Sequence, residues 1–156
     1  MLMEETDDPL APEQTYHRLE RRGVVGTPGR ALPAPDGRHL YFASATAPVL
    51  FKLDVVAGEW VRGSDDPIEL YEAGERALNR ATIDDEGIVW VSAFNEERLY
   101  ALDTRCDKPL GEPIELGASP EQLEGPLPLE VLRRGGTKEI YYATSLSEVL
   151  GRVTLN

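Results

Sequence analysis

Two short apolar segments each occur three times along this chain, about fifty residues apart. The first segment reads LYFAS at Leu40–Ser44, IVWVS at Ile88–Ser92 and IYYAT at Ile140–Thr144. The second segment reads LFKLD at Leu50–Asp54, LYALD at Leu99–Asp103 and LGRVT at Leu150–Thr154. Both are rich in β-branched and aromatic residues, which favour strands. A repeat of this length and composition predicts a series of small β-sheets.

Each repeat is predicted to form one blade of a β-propeller, so the predicted fold class is all-β with three four-stranded blades per chain. The predicted blades span residues 27–75, 76–118 and 119–156. The last of these offers only three strands, and a further strand is predicted at residues 15–26. Residues 1–14 are acidic and contain two prolines, which predicts a flexible arm.

Three blades do not close a ring, because propellers typically have four to eight. We therefore predict a homodimer with six blades, in which the strand at 15–26 of one chain closes the third blade of the other. The residues predicted at this interface are apolar or aromatic: Tyr16, Leu19, Val24, Val25, Val149, Val153 and Leu155. A trimer, a hetero-oligomer and an irregular β-sandwich of unrelated hairpins are the alternatives.

The charge balance narrows the classes of partner. The chain has 156 residues, 41% of them hydrophobic, and a formal net charge of −12. Such a charge disfavours nucleic acid and anionic membrane surfaces, which attract basic proteins. The acidic N-terminal stretch does not resemble a secretory signal, and the single cysteine, Cys106, excludes an intrachain disulfide. The predicted location is the cytoplasm or a soluble assembly.

Two segments carry a resemblance to known propeller families: Asp84–Thr104 and Glu139–Leu155. They resemble blades of the streptogramin lyase-like, NHL and gluconolactonase-like propellers, and Pro35–Ser44 is similar to blades of the TolB-like group. These families include lyases, lactonases, binding modules and scaffolds. The resemblance therefore implies an architecture and leaves the activity open.

The resemblance to these families implies two kinds of candidate site. The lyase-like enzymes use histidine and glutamate near the channel, but His17 and His39 do not recur with a carboxylate. Lactonase-like propellers hold a divalent cation with oxygen ligands, which would make Asp84, Asp85 and Asn95 candidate ligands for Ca²⁺ or Mg²⁺. Otherwise no cofactor is predicted.

The remaining candidates concern ligands and nucleophiles. Trp60 lies in a charged stretch and is the candidate platform for a ligand such as a glycan, whereas Trp90 is expected in the core. No constellation of nucleophile and base is present, so no catalytic residue is predicted. The basic pair Arg133 and Arg134 could contact the acidic arm of another chain.

These observations lead to three hypotheses about function. The first is a non-catalytic oligomeric propeller that acts as a structural or protein-interaction module, with other proteins as its partners. The alternatives are a lyase- or lactonase-like enzyme with a divalent metal at the channel, and a glycan-binding lectin.

Overall fold

The computed structural model of the chain describes residues 28–44, 47–71, 79–93, 97–116, 126–144 and 150–155. These residues form thirteen strands in three antiparallel sheets. The described part contains no helix, and therefore none that is long and apolar enough to cross a bilayer. The predicted all-β class is confirmed.

The first sheet contains five strands. They are β1 (Pro28–Pro33), β2 (His39–Ser44), β3 (Val49–Asp54), β4 (Glu59–Arg62) and β5 (Ile68–Glu69). The first four follow one another in sequence order, and β5 also pairs with β3. The outer edge of β3 is therefore shared: its end near Asp54 pairs with β4, and its beginning at Val49 pairs with β5.

The second sheet repeats this arrangement, again with five strands. They are β6 (Asn79–Ile83), β7 (Ile88–Ala93), β8 (Arg98–Asp103), β9 (Lys108–Pro109) and β10 (Ile114–Glu115). Here β9 and β10 divide the outer edge of β8. The predicted single fourth strand is thus two short strands in both sheets. In the first sheet Pro67, which has no N–H to give to a ladder, lies between the two halves.

The third sheet has three strands, in the order β11 (Pro126–Arg134), β12 (Thr137–Thr144) and β13 (Leu150–Leu155). The predicted strands at Leu127–Leu132, Glu139–Thr144 and Val149–Leu155 correspond to these three. The predicted arm 1–14 and strand 15–26 lie outside the described residues. So do five of the predicted interface residues (Tyr16, Leu19, Val24, Val25 and Val149) and one predicted metal ligand, Asn95.

The second sheet is packed between the other two. One apolar cluster joins Leu32, Tyr41 and Leu50 of the first sheet to Val89 and Val91 of β7. A second cluster joins the opposite face of β7 to the third sheet, and it contains Ile88, Trp90, Leu99, Leu116, Ile140 and Tyr142. Every residue of β7 is buried, as expected for a strand covered on both faces.

The first strands of the three sheets lie close to one another. Strand β6 lies against β1 on one side and β11 on the other. An ion pair also links Arg30 of β1 with Glu130 of β11, whose closest N and O atoms are 3.7 Å apart. The three sheets therefore converge on their first strands.

A third apolar cluster covers the face of the first sheet that points away from the second. It consists of Ala47, Val49 and Phe51, with Phe42 and Trp60 packed against it. The corresponding outer face of the third sheet is more open: Leu132 is 51% exposed and Leu150 is 74% exposed. The two ends of the three-sheet stack therefore differ.

Candidate functional site

Asp84 is the central group of a charged cluster between the second and third sheets. It follows β6 directly, and its side chain is only 1% exposed. Its Oδ1 accepts the backbone N–H groups of Glu86 and Ile88, at 3.0 and 2.9 Å. Its Oδ2 accepts the indole N–H of Trp90 at 2.9 Å and the ammonium of Lys138 at 2.5 Å. These bonds replace the water that a buried carboxylate needs.

Lys138 extends from β12 to the second sheet. Besides Asp84, its Nζ contacts Oε2 of Glu86 at 2.7 Å and lies 5.6 Å from the centre of the Trp90 ring, in cation–π geometry. Arg133 of β11 contacts Glu86 at 2.6 Å and Asp85 at 3.3 Å. The turn between β6 and β7 thus supplies three carboxylates to two cations of the third sheet.

The environment sets the charge state of these groups. Burial pushes the pKa of Asp84 upward, but the hydrogen bonds from Lys138, Trp90 and Ile88 outweigh it, so the pKa lies below its usual value. Burial also lowers the pKa of Lys138, and the hydrogen bonds to Asp84 and Glu86 reverse this and raise it. Hydrogen bonds from Lys138 and Arg133 lower the pKa of Glu86. Asp84, Glu86 and Lys138 are therefore ionised at neutral pH.

An open pocket of about 670 Å³ adjoins this cluster. Its lining combines an apolar part with a charged rim: Ile88, Trp90, Leu110, Gly136 and Leu155 with Glu86, Arg105, Arg133 and Lys138. All of these residues belong to the second and third sheets and the turns that join their strands. The volume is within the range of small-molecule sites.

A related arrangement joins the first and second sheets. Lys52 of β3 contacts both oxygens of Asp107, at 3.1 and 2.8 Å, and lies 5.3 Å from the centre of the Tyr41 ring. The Tyr41 hydroxyl donates to Asp107 at 2.6 Å, and burial together with that carboxylate raises the pKa of Tyr41. Asp107 adopts a positive φ of 56°, a conformation that Asp tolerates better than most residues. Each junction between sheets therefore contains an aromatic ring, a lysine and a carboxylate.

The predicted metal ligands are engaged in these contacts. Asp84 is bound to Lys138, and Asp85 is paired with Arg133. A cation at this turn would have to displace both. Within the described ranges, no group of three or more His, Cys, Asp and Glu side chains is arranged to hold a metal ion.

The other predicted residues lie in two different places. Trp60 is half-buried and contacts Phe42 and Phe51 edge-on, with ring centres 5.7 and 6.4 Å away. Its indole N–H has no hydrogen-bond partner within the described part of the chain. Val153 and Leu155, predicted at a subunit interface, pack half-buried against the second cluster of the same chain. Their role between subunits stays a prediction.

The sequence did not reveal the basic residues of the site. Lys52 interrupts a strand segment that is otherwise apolar, and this interruption is the signal that could have identified it. Lys138 stands between Thr137 and Glu139, before the apolar part of its strand, and has no such signal. Arg133 was considered a partner of the acidic arm, whereas the structure pairs it with Asp85 and Glu86. For Asp84 and Asp85 the sequence predicts metal ligands, whereas the structure pairs both with cations of the third sheet.

Comparison with known proteins gives a likeness of fold. No family model matches the chain, and no curated protein matches it either. Among solved structures, a chain of the Kuenenia stuttgartiensis hydrazine synthase is similar, with a TM-score of 0.60 and 14% sequence identity. The match covers 91% of this chain but only 36% of that one. This chain thus spans little more than a third of its structural neighbour, and at this identity the likeness concerns the fold alone.

The ionised cluster leads to a prediction about acid stability. Because the pKa of Asp84 is lowered in the folded state, its contribution to stability is complete above the unfolded-state value of about 3.9 and is lost as the pH falls below it. Asp84→Asn should therefore be less stable than wild type at pH 7, and the difference should shrink as the pH is lowered toward the folded-state pKa. Urea unfolding at several pH values measures it. If the difference in unfolding free energy between the two proteins did not change with pH, the lowered pKa of Asp84 would be contradicted.

Proposed function

We propose that the three sheets are consecutive blades of a β-propeller, and that two copies of the chain form a six-bladed ring that acts as a structural or protein-interaction module. The observation that carries this proposal is the convergence of β1, β6 and β11, because the first strand of each blade lines the axis of a propeller. The ion pair between β1 and β11 agrees with a small central channel. The sequential strand order within each sheet is also typical of blades.

The exposed outer face of the third sheet supports the association of two copies. The outer face of the third sheet exposes Leu132 and Leu150, and the outer face of the first sheet carries the cluster around Phe51. In a ring these two faces would meet across the boundary between copies. Burying exposed apolar side chains is the main favourable contribution to such an association.

A non-catalytic role is supported by the state of the charged side chains. The lysines and carboxylates at both junctions are used in ion pairs that hold sheets together. A general acid or base needs a proton that it can exchange near neutral pH. The lowered pKa of Asp84 and the raised pKa of Lys138 move both groups away from that range.

The association is tested by the mass of the full chain in dilute solution. We expect an even multiple of the 17.3 kDa chain mass by analytical ultracentrifugation. Leu132→Glu places a charge on the outer face of the third sheet and should shift the population to monomer. Val56→Glu is the matched control, because Val56 is 76% exposed in the turn between β3 and β4. A wild-type monomer at every concentration would refute the ring.

The predicted closing strand has its own test. Deletion of residues 15–25 should weaken the dimer much more than deletion of residues 1–13, if that segment completes the third sheet of the partner. Equal effects of the two deletions would leave the ring possible but would exclude this mode of closure.

A further inference from the structure

We propose that the pocket between the second and third sheets binds a small organic anion with a flat apolar body, such as an aromatic carboxylate or sulfonate. The proposal is independent of the ring, since one chain supplies every lining residue. It adds a ligand site to what is otherwise a structural module.

The composition of the lining gives the class of ligand. Three of its residues are cations (Arg105, Arg133 and Lys138), and the one carboxylate among them is Glu86. All three cations are also paired with carboxylates that do not belong to the lining, namely Asp84, Asp85 and Asp103. The charged groups that face the pocket are therefore mainly cationic, and an anion would take over the contacts that Glu86 makes with two of them. The apolar part of the lining suits a ring or short aliphatic body rather than a bare inorganic ion.

The geometry at the rim identifies where the anionic group would bind. Glu86 is 54% exposed and bridges the two cations of the third sheet, with contacts of 2.7 Å to Lys138 and 2.6 Å to Arg133. An incoming carboxylate or sulfonate would take the same position between them. Glu86 is thus an internal competitor, and it can swing away at little cost because exposed ion pairs are weak.

Two further features favour binding in this pocket. Asp84 holds Lys138 in place from the buried side, so this ammonium is pre-positioned at the rim. Arg105 in the turn after β8, whose side chain is 75% exposed, is bound to Asp103 by contacts as short as 2.6 Å. The rim therefore presents cations from both sheets, and the indole of Trp90 lies in the lining below them.

The test uses naphthalene-2-sulfonate as the probe and the full chain as the protein. Two-dimensional NMR resolves the indole N–H signals of the two tryptophans, and Trp90 lines the pocket while Trp60 lies on the first sheet. We expect a saturable shift of the Trp90 signal and none of the Trp60 signal. The uncharged analogue 2-naphthalenemethanol should bind more weakly. Equal binding of both probes, or no saturable shift of Trp90, would overturn the proposal.

Substitutions at the rim should change the affinity in opposite directions. Glu86→Gln removes the competitor and should tighten binding about three- to fivefold, whereas Arg133→Gln and Arg105→Gln should each weaken it by a similar factor. Arg98→Gln is the matched control, because Arg98 is paired with Glu115 and lines a different pocket. Weaker binding by Glu86→Gln, or unchanged binding by both arginine variants, would refute the assigned position of the anion.

Discussion

Replacing Lys138 with methionine is expected to lower the free energy of unfolding by about 3–5 kcal/mol, the usual cost of removing one partner from a buried ion pair. The side chains of Lys138 and Asp84 are 12% and 1% exposed, so loss of the ammonium would leave the Asp84 carboxylate buried without its cation. Methionine retains much of the contact that the lysine stem makes, which confines the change to the charge. Urea denaturation at neutral pH measures the loss.

Two controls separate this charge effect from packing. Lys108→Met on the exposed strand β9 makes the same chemical change at the surface and should have little effect. The double variant Asp84→Asn with Lys138→Met should be more stable than the sum of the two single losses predicts, with a coupling of about 0.5–3 kcal/mol. Strict additivity would mean that the two groups stabilise the junction independently.

Replacing Trp90 with alanine is expected to cost about 3–5 kcal/mol, as for other buried aromatic side chains. Trp90 is 4% exposed and packs in the second apolar cluster with residues of the third sheet. Its loss would leave a cavity there and deprive Asp84 of one donor. Thermal and urea unfolding report the change.

Phenylalanine variants distinguish the two tryptophans. Trp90→Phe keeps a ring but removes the N–H that binds a buried carboxylate, and hydrogen bonds to charged groups contribute about 1.5–3 kcal/mol. Trp60→Phe removes an N–H that binds no described group, so its cost should be smaller. If both variants lost the same free energy of unfolding, the hydrogen bond between Trp90 and Asp84 would contribute nothing measurable to stability.

The central strands of this protein could be predicted well because β2, β7 and β12 each contain a short run of β-branched and aromatic residues. The segments at Leu40–Ser44, Ile88–Ser92 and Ile140–Thr144 lie in β2, β7 and β12, each of which is the second strand of its sheet. The fourth strand predicted for the first repeat is divided into two short strands, β4 and β5. The sharing of one edge by two short strands depends on where the chain returns to that edge, which strand composition does not encode.

The alignment of the repeats was wrong by one residue. The repeated segments align Phe42 with Trp90. In the structure, a hydrogen bond between Ala34 and His39 closes the turn before β2, and one between Asp84 and Ile88 closes the turn before β7. The second turn is one residue shorter than the first. Tyr41 therefore takes the position that Trp90 has in the second sheet. This explains why Tyr41 and Trp90, which looked unrelated, each face a lysine and a carboxylate.

The charged junctions could not be predicted because their members are distant in the sequence. Asp107 meets Lys52 across 55 positions, and Lys138 meets Asp84 across 54. A single carboxylate in a turn has the same local pattern whether it faces water or a lysine from another sheet. Only the packing of the sheets decides between these environments.

The burial of β7 on both faces affects how the chain loses its structure. The first and third sheets each depend on this strand for their apolar contacts, and each is tied to the second sheet by its own lysine. Fraying can begin at either outer sheet without disturbing the other. Unfolding of the middle sheet removes the contacts of both outer sheets at once. The three sheets should therefore melt in one cooperative transition, and local unfolding should be easiest in the first and third sheets.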